Sequence, residues 1–545
     1  MEFTSYDRPN HLHFASHYVE EPLSLIDHET GGGLDMSTYP PLFYQLIAFI
    51  SRFIPLSLAL DLVTLVFWIT LSFFSAKFIV EYLNLGDGHF YLAYIFVFSS
   101  VGILKTLSVY SQVTTIAGLA FAFISLYYFW QLISNENSKK KNSAFFALAL
   151  SLTAFTHHFS FLMVVPMLIL FSVLNYEKAF TRQNLKKAGI SLLLAFVIIL
   201  VGLMPMVQSF VESTVPEGEI PHDSRKSFFQ WSQRERNMWF YSTYGLSLLM
   251  LASPGLVRFV KLSHKWRFDK VYLLAIFFFL LGLGGSTQLP KLIYPGIEHW
   301  LTFDRFSLVS SILFTSILGV ITYGLLKKLN NQRIKYGLLV SVVAGFLVLN
   351  LFWLQFSEEL YFGEVDREES DELKKLVLDY LEENASRDYR YQTFGYDPTS
   401  SEIYSRTNVP TLETTYYSGR TIPWLRDSGE EEINHFSQDM FKVFMKKADN
   451  YSVKHIIAFT PRYHKLMEDY DWDLIRNEST ADSQVKIWKN PRELEKVDYS
   501  EEKGFVNYLW GTVPPLMFVV FLVYLAKGIM GKLDEALSGI DLSAK

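Results

Sequence analysis

The sequence predicts a polytopic α-helical membrane protein with a C-terminal external α/β domain before its last span. Half of the 545 residues are hydrophobic and 16% are aromatic, whereas only 19% are charged, and soluble domains usually carry roughly 25% charged residues. The apolar residues gather in many runs of about 17 to 27, each long enough to cross a hydrocarbon core of about 30 Å as a helix. About eleven spans are predicted here, or twelve if a first helix is missing from this chain.

The predicted spans divide the chain into four parts. Their boundaries are soft by several residues, and they lie near 57–83, 88–105, 112–134, 144–157, 159–175, 188–210, 238–262, 271–288, 304–326, 336–356 and 506–529. The parts are a first outer loop with interfacial helices (1–56), a transmembrane bundle (57–356), an external α/β domain (357–505), and a last transmembrane helix with a cytoplasmic tail (506–545).

The run from 144 to 174 decides the topology. As one helix it would be about 46 Å long, which is too long for one crossing. Lys and Arg residues flank both of its ends, at 139–141 and 178–187, and these residues favour the cytoplasmic side. Two short half-crossings that turn at His157 and His158 place both basic clusters inside. A multi-pass protein of the plasma membrane is therefore expected, with residues 1–56 and 357–505 extracytoplasmic.

The polar block 357–505 is typical of a small α/β domain. "SDELKKLVLDYLEEN" has helical periodicity behind a Ser370 cap, and "VKHIIAF", "DWDLI" and "VKIW" indicate strands, separated by the helical "PRYHKLMEDY". Sequons at Asn384, Asn450 and Asn477 fit an external location. The block has no nucleophile elbow, P-loop or dinucleotide motif, so it is interpreted as a lid or an acceptor-docking domain.

Composition excludes several classes of function. The chain has no cysteine, which excludes disulfides, thiol chemistry and cysteine-based zinc sites. Its net charge is -6, and it has neither a basic stripe nor a nucleic-acid-binding motif, so no nucleic-acid partner is expected.

The first forty residues are polar, and the topology places them outside. Because no signal peptide precedes them, a further span upstream of Met1 is expected.

His13 and His17 are four residues apart and share a helix face. Metal binding is one interpretation of that spacing, and interfacial packing with hydrogen bonds is the other. The glycines at 31–33 predict a mobile, substrate-responsive loop.

These motifs resemble a known superfamily. The chain resembles the GT-C superfamily in five features. These are an acidic outer segment that contains "DRPNH", a following "YPPLFYQL" run, a short hairpin with a polar turn, many spans, and a C-terminal external domain. Its members are membrane glycosyltransferases that use polyprenyl-phosphate-linked sugars, including protein mannosyltransferases, lipid A aminoarabinose transferases and oligosaccharyltransferases. The chain looks most similar to the membrane proteins called 6-pyruvoyl-tetrahydropterin synthase-related, although nothing in it resembles a pterin-synthase domain. The resemblance covers nearly the whole chain, and its motifs are short.

The resemblance implies roles for the outer segment. In the family, the loop after the first helix carries an acid that is central to transfer; Asp7 matches that acid, and His11 matches the aromatic or histidine position after it. The Pro-Pro pair opens an interfacial helix in the family, and "PPLFYQLIAFISRFI", with Arg52 inside it, is too short and too charged to span comfortably. Many members carry a second acid in the next outer loop, where this chain has Gln112. No metal ligands are therefore assigned, and a divalent metal stays an open alternative.

Sugar transfer from a lipid phosphate needs a base and a cationic pocket. Asp7 is the predicted catalytic base. Arg305 is the first candidate for binding the donor phosphate, because the planar, two-pronged guanidinium suits that group. The other possible roles of Arg305 are to extend to the lipid head groups or to pair with Asp304. His157 and His158 lie between apolar half-helices, where polar residues tend to mark function; they either contact the phosphate or only cap two helices. The predicted substrate-binding set is His11, His157, His158, Asp304 and Arg305. The outer loop 211–237 offers further candidates in Glu219, His222, Asp223, Arg225 and Arg234.

The sequence therefore predicts a GT-C-type glycosyltransferase in contact with membrane lipid. It would move a sugar from a polyprenyl-phosphate donor to a glycan, lipid or protein acceptor on the outer membrane face. The alternative is a non-catalytic GT-C-like protein in cell-envelope or polysaccharide assembly, which the missing second acid favours. A transporter would require internal repeats or helices broken at mid-membrane, and the sequence indicates neither.

Overall fold

The chain folds into a helical bundle that is joined to a small mixed sheet. A computed structural model describes residues 7–134, 140–212, 232–233, 236, 242–251, 265–283, 288–295, 301–362, 367–395, 401–407, 409–414, 420–426, 433–479, 484–501 and 503–538. Its helices there are α1 (Arg8–Glu20), α2 (Leu42–Ser51), α3 (Leu56–Leu83), α4 (Asp87–Phe98), α5 (Val101–Ser108), α6 (Val113–Ser134), α7 (Lys140–Thr156), α8 (His158–Leu174), α9 (Tyr176–Ala179), α10 (Arg182–Gly202), α11 (Met204–Glu212), α12 (Lys265–Gly282), α13 (Leu289–Ile293), α14 (Phe303–Leu326), α15 (Gln332–Phe362), α16 (Arg367–Asn384), α17 (Ser401–Tyr404), α18 (Pro423–Arg426), α19 (Gln438–Met445), α20 (Pro461–Met467) and α21 (Phe505–Ser538).

Seven helical segments of the described residues are long and apolar enough to cross a membrane. They are Leu56–Leu83, Asp87–Ser108, Val113–Ser134, Arg182–Gly202, Arg305–Leu326, Gln332–Gln355 and Phe505–Lys527. The chain is thus a membrane protein with several spans, and the predicted count of about eleven is not confirmed. The predicted span 238–262 falls largely outside the described residues.

The predicted turn at His157 is confirmed. Helices α7 and α8, of 17 residues each, meet there, and His157 lies between them in an extended conformation. Ten-residue helix α2 is about 15 Å long, so it is too short to cross a membrane, as predicted.

The predicted span 88–105 is interrupted at Ser99 and Ser100. Ser100 adopts an extended conformation and begins α5, while the Ser99 hydroxyl donates back to the carbonyl of Ile95 at 2.6 Å. The Ser99 carbonyl, which a continuous helix would have used, accepts from Asn350 Nδ2 at 2.8 Å. The break is therefore satisfied by a neighbouring helix, which hydropathy alone does not reveal. The predicted span 188–210 likewise ends at Gly202, and α11 follows.

Helix α6 lies at the centre of the bundle. Its apolar window is 83% buried, whereas that of α15 is 11% buried. It packs against α3, α7 and α8. Gly118 permits the closest approach, because a Cβ there would lie 2.5 Å from Ser160 Oγ and 2.9 Å from His157 Cβ. The absence of a side chain at Gly118 thus makes room for the His157 turn.

The sheet follows α16 in the chain. Strands β3 (Arg390–Phe394), β4 (Val453–Ala458), β5 (Asp473–Ser479) and β6 (Gln484–Lys489) have the order β3-β4-β6-β5, with β3 parallel to β4 and the other pairs antiparallel. Three strands match the predicted ones, and β3 was not predicted. Helix α16 begins at Arg367, so Ser370 lies inside it instead of capping it.

The glycine loop is clamped, so the prediction of a mobile loop is wrong. Strands β1 (Ile26–Asp27) and β2 (Leu34–Asp35) pair on either side of it. The amides of Gly31 and Gly32 donate to the carbonyls of Glu413 and Thr411 at 3.0 and 3.2 Å, and the amide of Thr421 donates to the carbonyl of Gly33 at 2.9 Å. The glycine loop therefore adds to the edge of the C-terminal block like an extra strand.

Replacing Gly32 with alanine is expected to lower the free energy of unfolding by about 1–3 kcal/mol. Gly32 has φ +70°, and a Cβ there would lie 2.3 Å from Ile422 Cδ1 and 2.7 Å from Leu412 Cδ2. Thermal unfolding of the solubilised protein measures the effect. Gly86→Ala is the control because its Cβ would meet nothing within 4 Å, and equal losses in both variants would contradict a tight clamp.

Candidate active site

Arg305 and His157 form the centre of the site. Arg305 lies in the first turn of α14, and its Nη1 is 3.2 Å from His157 Nε2. A guanidinium only donates, so Nε2 of His157 accepts from Arg305. Nδ1 of His157 lies 2.9 Å from Ser160 Oγ and 3.2 Å from the amide nitrogen of Ser160, at the start of α8. The arrangement leaves the positive charge on Arg305.

The guanidinium of Arg305 retains unused donor capacity. It lies over the ring of Phe159, with Cζ 5.1 Å from the centroid. Its Nε is buried and has no hydrogen-bond partner among the described residues. A buried donor without a partner is costly, so this side chain is ready to bind an anionic oxygen that the described residues do not supply.

Asp7 immediately precedes α1 and is the carboxylate that Arg305 influences. The side chain is enclosed by protein but keeps some exposure to solvent. Burial raises the pKa of Asp7 to about 6, and the positive charge of Arg305 opposes that rise. A carboxylate with such a pKa can accept a proton near neutral pH far more readily than an ordinary aspartate.

Neighbouring contacts fix the start of α1. Arg8 donates to Asp61 Oδ1 at 2.6 Å and to Ser57 Oγ at 2.7 Å, which ties α1 to α3. His11 Nε2 is 2.8 Å from the carbonyl of Ser111, and its Nδ1 is 2.9 Å from Tyr44 Oη.

Since a carbonyl only accepts, His11 carries its hydrogen on Nε2 and accepts at Nδ1. Burial lowers the pKa of His11 to about 4, with Arg8 and Arg305 acting in the same direction and the bond to Ser111 opposing them. His11 is therefore neutral, and both of its ring nitrogens are engaged by the protein.

Tyr39 packs against both histidines of the His157 turn, and it was not among the residues predicted from the sequence. Its ring centroid lies 6.1 Å from that of His157 and 5.4 Å from that of His158, and its hydroxyl is 2.8 Å from Thr114 Oγ1. His158 Nδ1 is buried and has no hydrogen-bond partner among the described residues. The position of Tyr39 directly before the Pro-Pro pair, inside the "YPPLFYQL" run, is the signal that could have found it.

The structure thus brings together most of the predicted residues. Asp7, His11, His157 and His158 all lie near enough to Arg305 to interact electrostatically with it, and His157 contacts it directly. Asp304 lies beside Arg305 in α14, but its side chain is outside what the structure describes. The candidates of the outer loop, Glu219, His222, Asp223, Arg225 and Arg234, also lie outside the described residues.

A second polar cluster supports α1 from its other side. His13 Nε2 and Asp27 Oδ2 form an ion pair at 2.6 Å, with side chains only 4% and 2% exposed, and Thr30 Oγ1 donates to Asp27 at 2.7 Å. Burial alone would lower the pKa of His13, but Asp27 outweighs it and the pKa is raised. Burial would likewise raise the pKa of Asp27, but pairing with His13 lowers it. The expected hydrogen-bonding role for His13 is therefore observed.

Asp27→Asn is expected to lower the free energy of unfolding by about 3–5 kcal/mol, because it leaves His13 buried without its counter-charge. In the unfolded chain the pKa of His13 is about 6.5, and in the folded protein it is higher. The stabilisation from His13 is therefore complete below the unfolded value and is lost as the pH rises through the folded value. The contribution of Asp27 is present above its unfolded pKa and is lost as pH falls through its lowered folded pKa. The difference in melting temperature from the wild type should therefore be largest near pH 5–6 and shrink at alkaline pH.

The control for that measurement is Asp388→Asn. Asp388 pairs with Lys496 at 2.8 Å, and the two side chains are 47% and 68% exposed, so its loss should cost at most about 1 kcal/mol. A melting difference for Asp27→Asn that matches this control at every pH would contradict a buried ion pair.

Metal ligation is not indicated by the described part of the chain. No group of three or more His, Asp or Glu side chains that could hold a metal ion lies together there. The segment between α5 and α6 contributes the carbonyl of Ser111 to the site.

Comparison with known proteins agrees with this architecture. No protein-family model matches the chain, and no curated protein matches it by sequence. The structure of ArnT from Cupriavidus metallidurans in the apo state matches with a TM-score of 0.55 at 10% identity, covering 88% of this chain and 92% of ArnT. The same protein bound to undecaprenyl phosphate gives 0.52 at 10% identity, over 88% and 93%.

A second match is the arabinofuranosyltransferase AftD from Mycobacteria. Its TM-score is 0.51 at 13% identity, over 89% of this chain but only 38% of AftD, so the chain spans little more than a third of that protein. The chain therefore shares its overall fold with ArnT and with part of AftD. The closer resemblance to the 6-pyruvoyl-tetrahydropterin synthase-related proteins stays a prediction.

Proposed function

We propose that the chain is a GT-C-type glycosyltransferase that moves a sugar from a polyprenyl-phosphate donor to an acceptor on the outer membrane face. The observation that carries this proposal is the electrostatic interaction between Asp7 and Arg305. Asp7 has a pKa of about 6, and Arg305 has a buried Nε with no hydrogen-bond partner among the described residues. A base and a cation with free donors are the two groups that this reaction requires.

The carboxylate of Asp7 accepts the proton of the acceptor hydroxyl. The acceptor oxygen then forms a bond to the anomeric carbon as the bond between that carbon and the phosphate oxygen breaks. The electron pair of the broken bond stays on the polyprenyl phosphate, where Arg305 stabilises the developing negative charge. Asp7 releases its proton to solvent, so the products are the glycosylated acceptor, polyprenyl phosphate and one proton.

The histidines have different roles in this proposal. His157 accepts a hydrogen bond from Arg305 and so orients the guanidinium without competing for its charge. His158, with an unpartnered Nδ1, is available to the donor phosphate or the sugar. His11 is a positioning residue because both of its ring nitrogens already bind protein atoms, and it fixes the turn of α1 that follows Asp7.

We also infer that the C-terminal block, 357–505, is an external domain that borders the acceptor side of the site. Tyr404 of α17 contacts α1 directly, because its hydroxyl donates to Asn10 Oδ1 and its ring lies 5.1 Å from that of His13. The block thereby touches the helix that follows Asp7. Such a contact suits a domain that holds the acceptor near the base.

A non-catalytic GT-C-like protein of cell-envelope assembly is the second candidate. The observation in its favour is the second outer segment, where a backbone carbonyl, that of Ser111, faces His11 at 2.8 Å instead of a carboxylate. Such a protein would bind a lipid-linked sugar without turning it over.

The test uses the full chain in detergent or nanodiscs with a polyprenyl-phosphate donor that carries a radiolabelled sugar. Release of polyprenyl phosphate with label in a glycan, lipid or protein acceptor supports the proposal. Saturable donor binding with no release of polyprenyl phosphate, across hexosyl and pentosyl donors, would favour the non-catalytic alternative. Absence of both donor binding and turnover would overturn both.

A further inference from the structure

A cationic–aromatic cluster lies away from the candidate active site. It consists of Lys178 in α9, Arg267 and Lys270 in α12, and the rings of Trp130 and Trp266. Lys178 Nζ and Arg267 Cζ lie 5.1 and 5.6 Å from the centroid of Trp130. Arg267 Cζ and Lys270 Nζ lie 5.3 and 4.4 Å from the centroid of Trp266. Two shared rings therefore gather three cations into one place.

The cluster is at the end of the bundle opposite the candidate active site. Helix α6 runs from Val113, beside Thr114 and Tyr39, to Trp130, a distance of about 26 Å along the helix. Helix α8, from His158 to Leu174, covers a similar distance of about 24 Å, and Lys178 follows in α9. The two sites are thus separated by roughly the thickness of a hydrocarbon core.

The described residues leave the positive charge of the cluster without an ion-pair partner. No carboxylate of the described residues forms an ion pair with Lys178, Arg267 or Lys270 within 4.0 Å. Glu177 is the acid whose charge reaches Lys270, and it is exposed to solvent. Burial lowers the pKa of Lys178, and Arg267 lowers it further, as expected for like charges held close together.

Arg267 has a donor that the described residues leave unused. Its Nη1 donates to the carbonyl of Tyr82 at 3.0 Å, which fixes the side chain at the end of α3. Its Nε is buried and has no hydrogen-bond partner among the described residues. An anchored guanidinium with a free, buried donor suits an oxyanion, because an arginine fork matches phosphate geometry.

We propose that this cluster binds the phosphate of an anionic phospholipid head group. Basic pockets between membrane helices are typical sites for such lipids. The surroundings favour a lipid over free phosphate, because Trp266, Tyr176 and Phe180 are 46%, 62% and 54% exposed. Exposed aromatic side chains of this kind are enriched where membrane and water meet. The site is independent of the proposed sugar transfer and lies on the opposite side of the bundle.

The experiment titrates phosphatidylglycerol into the solubilised full chain and counts bound lipid by native mass spectrometry. Phosphatidylcholine, which has a phosphate but no net charge, is the lipid control. Lys178→Gln and Lys270→Gln should each weaken phosphatidylglycerol binding roughly fivefold, as expected for one basic residue near a membrane surface. Arg267→Gln should weaken it further, because it removes both the charge and the fork.

Lys186→Gln is the matched protein control, because Lys186 is an exposed basic residue in the neighbouring helix α10 that takes no part in the cluster. Unchanged binding in Lys178→Gln and Lys270→Gln, or losses equal to that of Lys186→Gln, would overturn the proposal. Equal binding of phosphatidylcholine would overturn the requirement for an anionic lipid. If millimolar inorganic phosphate displaces phosphatidylglycerol completely, the ligand is soluble phosphate and the lipid assignment is wrong.

Discussion

Asp7→Asn is expected to reduce the rate of sugar transfer by about 10²–10⁴-fold, the usual contribution of a positioned general base. An amide keeps the size of the side chain but cannot accept the acceptor's proton. The binding of the lipid donor should change little, because the donor phosphate is assigned to Arg305. Single-turnover transfer of labelled sugar, measured beside donor binding, separates these two effects.

The pH profile of the wild type checks the same assignment. A base with a pKa of about 6 is protonated and inactive below that value, so the transfer rate should rise with pH through about 6 and then level off. Glu20→Gln is the matched control, since it removes an exposed carboxylate from the far end of α1. If Asp7→Asn transfers sugar as fast as Glu20→Gln, Asp7 is not the base.

Arg305→Ala is expected to slow transfer by about 10²–10³-fold, comparable to the loss of one oxyanion-stabilising donor. It should also move the pH profile, because the positive charge of Arg305 holds the pKa of Asp7 below the value that burial alone would give. Without that charge, the rise in rate should occur at a higher pH. Arg305→Lys keeps the charge but loses the planar fork, so it should slow transfer while leaving the pH midpoint close to that of the wild type.

Two outcomes would count against this account of Arg305. The first is an unchanged pH midpoint in Arg305→Ala, which would mean that Arg305 and Asp7 do not interact. The second is a rate equal to that of Arg52→Ala, which removes an exposed arginine between α2 and α3. A residue that only snorkels to head groups would give both results.

Much of the bundle could be predicted from sequence, because its signals are local. Runs of apolar residues locate both ends of α3, α6 and α14, and the start of α21, to within a residue or two, and the break between helices at His157 was predicted. Sequence also pointed to Asp7, His11, His157, His158 and Arg305 as separate candidates. His157, His158 and Arg305 are polar side chains in or beside apolar segments, where they are costly without a purpose, whereas Asp7 and His11 were found through the resemblance to the GT-C superfamily.

The relations among those candidates could not be predicted in the same way. His157 and Arg305 are 148 residues apart in the chain, and no spacing rule connects them. The raised pKa of Asp7 depends on burial, which appears only in the folded protein. The clamp on Gly32 depends on Thr411, Leu412 and Ile422, so glycines that predict mobility in isolation form a fixed edge. The break at Ser99 was also missed, because its compensation comes from the distant Asn350.

The attachments of the outer loop have a consequence for the timing of folding during synthesis. Ser24 donates to Glu501, a contact between residues that are 477 positions apart, and Trp510 Nε1 donates to Tyr18 Oη at 2.9 Å. At about 5–20 residues per second, the ribosome needs roughly half a minute to a minute and a half to make the intervening chain. The segment that carries Asp7 is therefore made early but cannot reach its final place until α21 emerges. The protein should accordingly become able to transfer sugar only near the end of its synthesis, and in a single step.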